Sequence, residues 1–147
     1  MSRVVLLDAG PLGMVAHPRG NPEIGAWLRR LVRTATVVAV PEVADYEVRR
    51  ELLRADKPKS IERLDTLKMS LRYLPITTEV MLQAAAFWAV ARRHGQPTAV
   101  DAALDADVIL AAQAAIQHAP GDEVVIATTN VRHLARLVPA KHWREIR

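Results

Sequence analysis

The chain has 147 residues, half of them apolar, which is enough to bury one core and too few to divide comfortably into two. We therefore expect a single domain over residues 1–147. Cysteine is absent, which excludes disulfide bonds, thiolate nucleophiles and cysteine-ligated zinc. The formal net charge of +4 is compatible with a phosphate-bearing partner but does not require one.

Valine-rich apolar runs mark the predicted strands, at residues 3–7, 36–40 and 123–127. Each run is short and lacks strict alternation of apolar and polar residues, which is typical of strands covered on both faces. A fourth strand is predicted at residues 73–76. The first run is also far shorter than a membrane span or a signal-peptide core. We expect a cytoplasmic protein with no membrane partner.

Segments of helical period separate these runs. In the clearest one, apolar residues follow the spacing i, i+3, i+4, i+7, i+8 from Ile24, with Asn21 as N-cap and Pro22 in the first turn. The other predicted helices are residues 43–54, residues 60–72 after a break at Lys57-Pro58, a helix from an N-cap at Thr78 to near Gly95, and residues 104–118.

Strands that alternate with helices predict an α/β fold, a three-layer α/β/α sandwich with a mostly parallel central sheet. In such folds ligands bind at the carboxyl ends of the strands. Fold alone does not assign chemistry, so the residues expected at that edge decide the function.

Three acidic residues are candidates for that edge. Asp8 follows the first predicted strand directly, although it also suits a turn or helix cap. Glu47 lies among Arg49 and Arg50, where a solvated face with exposed ion pairs is the simpler interpretation. Asp107 begins an apolar helical segment, where the helix dipole also favours an acid.

Asp101, Asp105 and Asp107 crowd one region, and like charges so close resist ionisation unless a cation neutralises them. Mg²⁺ and Mn²⁺ prefer oxygen ligands and would fill that role. The histidines show no zinc-site spacing, and we interpret them as surface or structural residues: His94, His118 and His133.

Four segments together resemble the ordered motifs of the PIN-domain family, in its VapC-like toxin ribonuclease branch. They are Val4–Gly10, Pro41–Val48, Asp105–Ala114 and Ala127–Leu134. The resemblance covers almost the whole chain, and each motif stands at a predicted strand end or helix start.

The resemblance implies a Mg²⁺- or Mn²⁺-dependent endoribonuclease that hydrolyses RNA phosphodiester bonds. It assigns the catalytic group to Asp8, Glu47, Asp107 and Asn130, and the metal ligands to Asp8, Asp107 and Glu47, with Asp105 as the second choice on its helix. Asn130 is neutral where many relatives carry a fourth acid, which weakens any second metal position.

Family precedent also implies a toxin of a type II toxin–antitoxin pair, an antitoxin partner and a homodimer. Arginines expected near the acids are candidates for phosphate contacts, although each is also an ordinary solvated charge: Arg49, Arg50, Arg54, Arg132 and Arg136. Two alternatives stay open. One is a catalytically silent PIN module that binds nucleic acid, and the other is an interaction domain whose acids serve only as caps.

Overall fold

The structure, a computed structural model, describes residues 2–94, 101–117 and 121–147. Its centre is a five-stranded parallel sheet in the order β3-β2-β1-β4-β5. The strands are β1 (Arg3–Leu7), β2 (Thr36–Pro41), β3 (Arg72–Leu74), β4 (Glu123–Thr128) and β5 (Ala140–His142). The predicted fold class, an α/β/α sandwich on a parallel sheet, is therefore confirmed.

Six helices connect the strands within the described residues. They are α1 (Ala9–Ala16), α2 (Pro22–Arg33), α3 (Glu42–Arg54), α4 (Pro58–Ser70), α5 (Thr78–Arg93) and α6 (Asp101–Ala115), with short 3₁₀ turns at Leu134–Arg136 and Trp143–Glu145. None of the helices in the described part of the chain has both the length and the apolar character needed to cross a lipid bilayer.

The sheet is covered on both faces, as the unalternated strand pattern predicts. Val5 and Leu7 face a core that α1, α2, α3 and α4 complete, whereas Val4 and Leu6 face a core completed by α6. Helix α5 packs on the outer side of α6. Because both faces are covered, the exposed carboxyl ends of the strands are where polar side chains can meet a ligand.

Helix α2 forms as predicted. Asn21 accepts a hydrogen bond from the backbone N–H of Glu23 at 2.8 Å, and Pro22 occupies the first turn. The apolar stripe buries Trp27, whose indole N–H donates to the carbonyl oxygen of Ile146 at 2.8 Å. This bond ties the C-terminal residues to the helical layer.

Gln113 is a fully buried polar side chain that joins three elements. Its amide nitrogen donates to the carbonyl oxygen of Leu74 at 2.7 Å, and its oxygen accepts from the backbone N–H of Val43 at 3.3 Å. Helix α6 is thereby held against the end of β3 and the start of α3, the helix that carries Glu47.

Several predicted boundaries were wrong. The N-cap of α5 is Thr77, which accepts from the N–H of Val80, rather than Thr78. The predicted end of that helix near Gly95 lies outside the described residues. The fourth strand begins one residue earlier than predicted, at Arg72, and ends at Leu74. Helix α1 and strand β5 were not predicted at all.

Candidate active site

The candidate site lies where the order of the strands changes direction. Strand β1 pairs with β2 on one side and with β4 on the other. The chain adds β2 and β3 on one side of β1 and then crosses back to add β4 and β5 on the other side. Asp8 is the first residue after β1, and its N–H donates to the carbonyl oxygen of Ala127 at 3.0 Å. This is the topological switch point at which parallel α/β sheets bind ligands.

The carboxylate of Asp8 is fixed by two hydrogen bonds. One oxygen accepts from the N–H of Ala9 at 2.7 Å, which makes Asp8 the N-cap of α1. The other accepts from the hydroxyl of Thr128 at 2.7 Å. The hydroxyl oxygen of Thr128 in turn accepts from the N–H of Asn130 at 3.0 Å. Asp8 is therefore a cap, as one interpretation held, and also an oriented carboxylate at the sheet edge.

Gly10 permits this arrangement by close approach. A Cβ atom at this position would lie 2.7 Å from the hydroxyl oxygen of Thr129 in the loop after β4. Separations below 3.0 Å are essentially never found for real Cβ atoms. The first turn of α1 can therefore contact the loop after β4 only because residue 10 is glycine.

Glu47 and Asp107 converge on Asp8 from α3 and α6. Burial raises the pKa of Glu47 above its usual value, and the charges of Asp8 and Asp107 raise it further against the opposing effect of Arg50. Burial likewise raises the pKa of Asp107, and the charge of Asp8 adds to that shift. We call these three carboxylates the acidic cluster.

The acidic cluster has little compensation from cations. Within residues 2–94, 101–117 and 121–147, none of its members forms an ion pair. Arg50 lowers the pKa of Glu47, and half-buried His133 lowers that of Asp107, but both pKa values remain raised. Repulsion between partly buried carboxylates is a cost that proteins usually accept at functional sites.

The burial of Asp107 and its repulsion by Asp8 have a consequence for the stability of the fold. The folded-state pKa of Asp107 lies above its ordinary value of 3.8, so between these two values the folded protein binds more protons than the unfolded chain. The contribution of protonated Asp107 to the stability of the folded protein is complete below pH 3.8 and is lost as the pH rises through the folded-state pKa. We expect Asp107→Asn to raise the urea midpoint at pH 7 in chelator, with the gain vanishing near pH 3.5.

Asp105→Asn is the matched control for that measurement, because it makes the same change two residues away on the same helix. A lower midpoint for Asp107→Asn than for the natural protein at pH 7 would contradict the repulsive cluster.

The chemistry of the acidic cluster fits a hard divalent cation. Its donors are oxygens only, and a cation would relieve the repulsion between them. As the side chains stand, no three Asp, Glu or His residues in the described part of the chain are arranged to ligate one ion. Mg²⁺ needs only one or two carboxylates because it keeps several waters. Two carboxylates that bind the ion directly, with the third reaching it through a water molecule, would meet the needs of Mg²⁺.

Other residues proposed for the site lie elsewhere. The exposed side chain of Asp105 borders a groove between α5 and α6 with Met81 and Trp88, and the structure does not bring it to the acidic cluster. The side chain of Asp101, another acid considered for the site, lies outside the described part of the structure. Asn130 is exposed beside the cluster, and its backbone N–H rather than its side chain contacts Thr128.

Two sequence interpretations of this region were wrong. Asp107 lies in the second turn of α6 and not at its start, so the helix dipole does not account for it. Thr128-Thr129-Asn130 also predicts, from its sequence alone, an N-cap before a helix at residues 131–137. Asn130 does not cap a helix, because the turn that follows is a short 3₁₀ segment capped at His133. His133, which the sequence suggests is a surface or structural residue, also opposes the rise in the pKa of Asp107.

The arginines near the cluster have different roles. Arg49 is bound to Asp45 at 2.9 Å and to Asp65 at 2.7 Å, so its charge is used structurally. Arg50 is exposed and lies over the ring of Tyr46. Arg132 and Arg136 are exposed in the segment after β4.

No family model matches the chain, and no curated protein matches its sequence. Solved structures do match. VapBC2 from Rickettsia felis, bound to a DNA fragment from its promoter, has a TM-score of 0.76 at 12% identity and covers 95% of this chain and 98% of that chain. FitAcB from Neisseria gonorrhoeae has a TM-score of 0.71 at 21% identity, covering 97% and 99%.

VapC20 from Mycobacterium tuberculosis, a toxin that cleaves the sarcin–ricin loop, has a TM-score of 0.51 at 14% identity and covers 74% of this chain and 78% of that one. The chain has the VapC-like PIN fold. At these identities the likeness establishes the fold, and the chemistry of the PIN-fold site has to be argued from its own residues.

The main residue of the PIN-fold site that sequence reasoning left out is Thr128. It lies in the segment Ala127–Leu134 that resembles a PIN-domain motif, but the resemblance assigns it to neither the catalytic nor the metal-binding group. The available signal was its position as the last residue of a buried strand beside the strand that ends at Asp8.

Proposed function

We propose that this protein is a metal-dependent endoribonuclease of the PIN/VapC type that hydrolyses RNA phosphodiester bonds in the cytosol. One observation carries the proposal. Three partly buried carboxylates, Asp8, Glu47 and Asp107, meet at the topological switch point without an ion-pair partner among the described residues, and burial together with the charge of Asp8 raises the pKa of both Glu47 and Asp107. The fold, shared with a toxin that cleaves the sarcin–ricin loop, gives further support.

Asp8 and Asp107 are the residues that would hold Mg²⁺ or Mn²⁺, with Glu47 reaching it through water. When bound, such a cation activates water and neutralises the charge that develops on the phosphodiester. Thr128 and the Ala9 N–H keep the Asp8 carboxylate in one orientation. Glu47 is suited to accept a proton, because its raised pKa lies closer to neutrality than that of an ordinary glutamate.

The solved structures that share this fold also support a proposal about binding partners. VapBC2 and FitAcB support a toxin role with an antitoxin partner for this chain. We also propose a homodimer, because α5 exposes several apolar side chains that a second copy would cover: Met81, Leu82, Trp88 and Val90. Size-exclusion chromatography with light scattering tests the dimer.

The test of the function is cleavage of an end-labelled RNA of mixed sequence by the purified protein with Mg²⁺, with Mn²⁺ or with chelator. We expect discrete internal cuts with either cation and none with chelator. Cleavage that persists in chelator would contradict the metal-dependent reaction. Salt-sensitive RNA binding without cleavage under any condition would instead identify the silent binding module.

Thr128→Val keeps the shape of this side chain and removes its hydroxyl. We expect cleavage to fall by about 10–100-fold, because groups that orient a metal-binding side chain typically have effects of that size. Initial rates at saturating Mg²⁺ measure the loss, and Thr129→Val on the exposed neighbour is the control. Equal rates for Thr128→Val and the natural protein would show that the bond to Asp8 is not needed.

A further inference from the structure

A cavity of 810 Å³ lies apart from the acidic cluster, between the end of α1 and the turn that joins α3 to α4. Its walls include His17, Arg19 and residues 51–52 and 54–60. The wall formed by α4 is held in place by Arg63, whose guanidinium donates to the carbonyl oxygen of Val15 at 2.8 Å. This bond anchors α4 to the last turn of α1.

The first turn of α4 points unsatisfied N–H groups at this cavity. Pro58 has no N–H, Lys57 provides no side-chain cap, and the turn contains no acid. The N–H of Ile61 bonds to the carbonyl oxygen of Lys57, but in the described structure the N–H groups of Lys59 and Ser60 have no acceptor. Free N–H groups and the helix dipole together favour an anion at this position.

The side chain of Ser60 gives a second, independent sign of a ligand. The residue is only 6% exposed and lines the cavity, yet its hydroxyl makes no hydrogen bond to any described residue. No side-chain polar atom that is fully closed off from solvent lacks a partner in the described structure. The Ser60 hydroxyl therefore opens on the cavity, with nothing to bind there but a ligand or water.

The charges around the cavity favour an anion. Arg19, Lys57 and Lys59 are exposed cations on its walls. Arg54 also lines it but is bound to Glu51, at 2.7 and 2.9 Å, and this pair is neutral as a whole. The opposing charge is Asp56, which occupies the left-handed position at the end of α3 with a φ of 55°.

We propose that this cavity binds a phosphate group and that in the working protein it holds a backbone phosphate of the RNA strand. The second part rests on the proposed function. Helix α1 begins at Asp8 and ends at the cavity, and α3 carries Glu47 and ends at Arg54 on the cavity wall. The residues from Glu47 to Arg54 rise about 10 Å along α3, so one strand can reach both places.

The direct test follows the backbone amide signals of Lys59 and Ser60 by NMR while inorganic phosphate is added to the ¹⁵N-labelled protein in chelator. A second arm measures the binding of a short oligoribonucleotide in chelator, where no metal-dependent cleavage interferes. We expect the two amide signals to shift with phosphate and with the oligoribonucleotide. A response to phosphate alone would overturn the assignment to the RNA backbone.

Ser60→Asp places a carboxylate where the phosphate would lie. We expect it to weaken both phosphate and oligoribonucleotide binding at least about tenfold, because its negative charge repels the phosphate. A circular dichroism spectrum equal to that of the natural protein excludes misfolding as the cause. Asp56→Asn, which removes the opposing charge, is expected to strengthen binding.

Lys57→Gln combined with Lys59→Gln is expected to lower the slope of log Kd against log salt by about 0.7, the value for one lost phosphate contact on a single strand. Arg33→Gln, at the end of α2 and not on the cavity walls, is the control for lost charge. Unchanged oligoribonucleotide binding in Ser60→Asp and in the lysine variant would overturn the inference even if the natural protein cuts RNA. A protein that binds oligoribonucleotide as predicted but never cleaves RNA would contradict the proposed nuclease activity without contradicting the phosphate site.

Discussion

Asp8→Asn is expected to reduce RNA cleavage at least about 100-fold while the protein stays folded. The change removes a proposed direct metal ligand and one of the charges that the proposed cation would neutralise, and losses of a direct ligand exceed those of orienting groups. Asparagine is as good an N-cap as aspartate, so α1 keeps its first hydrogen bond. We therefore expect a cleavage rate near background with a urea midpoint equal to or above that of the natural protein.

Asp105→Asn is the control, since this exposed acid on α6 is not brought to the acidic cluster. It should cut RNA at close to the natural rate. Two results would contradict the assignment: cleavage retained in Asp8→Asn, or equal loss in Asp8→Asn and Asp105→Asn. A loss of activity accompanied by a lower urea midpoint would show that Asp8 acts mainly as the N-cap of α1.

Trp143→Ala is expected to destabilise the protein by about 3–5 kcal/mol, the range for truncating a large buried aromatic residue. Trp143 is 2% exposed and packs edge-on against Trp27, with 5.6 Å between the ring centroids. Domains of this size are typically stable by only about 5–15 kcal/mol. Equilibrium urea unfolding, followed by circular dichroism, measures the difference.

Met69→Ala is the control because Met69 is 88% exposed on α4 and does not belong to the proposed dimer face of α5. It should change the free energy of unfolding by less than about 1 kcal/mol. Similar losses for the two variants would mean that the contact between Trp143 and Trp27 does not hold the C-terminal residues on the helical layer.

The sequence predicts the layers of this fold well, for a physical reason. Strands β1, β2 and β4 are short runs of mostly apolar residues without polar alternation, because both faces of the sheet are covered. Helix α2 carries a cap, a first-turn proline and a regular apolar stripe, so local signals and tertiary packing agree. Where the sequence pattern and the tertiary packing agree in this way, the predicted ends of an element lie within one or two residues of the observed ends.

The elements that were missed lack local signals. Helix α1 contains Gly10, Pro11 and Gly13, which disfavour a helix when taken alone, and it forms because it packs against α3 and the loop after β4. Strand β5 has three residues, too few for any period to appear. Tertiary contacts decide both elements, and a local pattern cannot report them.

The acidic cluster was predicted from the positions of Asp8, Glu47 and Asp107, and these residues do converge in the structure. The sequence could not choose between Asp105 and Asp107, because two residues apart on a helix point to nearly opposite faces and the phase was unknown. It also missed the hydroxyl of Thr128, since a threonine that ends a strand is common and only its distance to Asp8 gives it a role.

The place of β1 in the sheet ties completion of the site to the synthesis of β4. As the chain leaves the ribosome, β1 can pair with β2 early, but its other edge waits for β4, whose residues 123–128 are made long after β2. At about 5–20 residues per second, that edge stays unpaired for several seconds. During this interval Asp8 has neither Asp107 nor Thr128 beside it, so a stalled or shortened polypeptide would carry half a site and an open strand edge prone to aggregation.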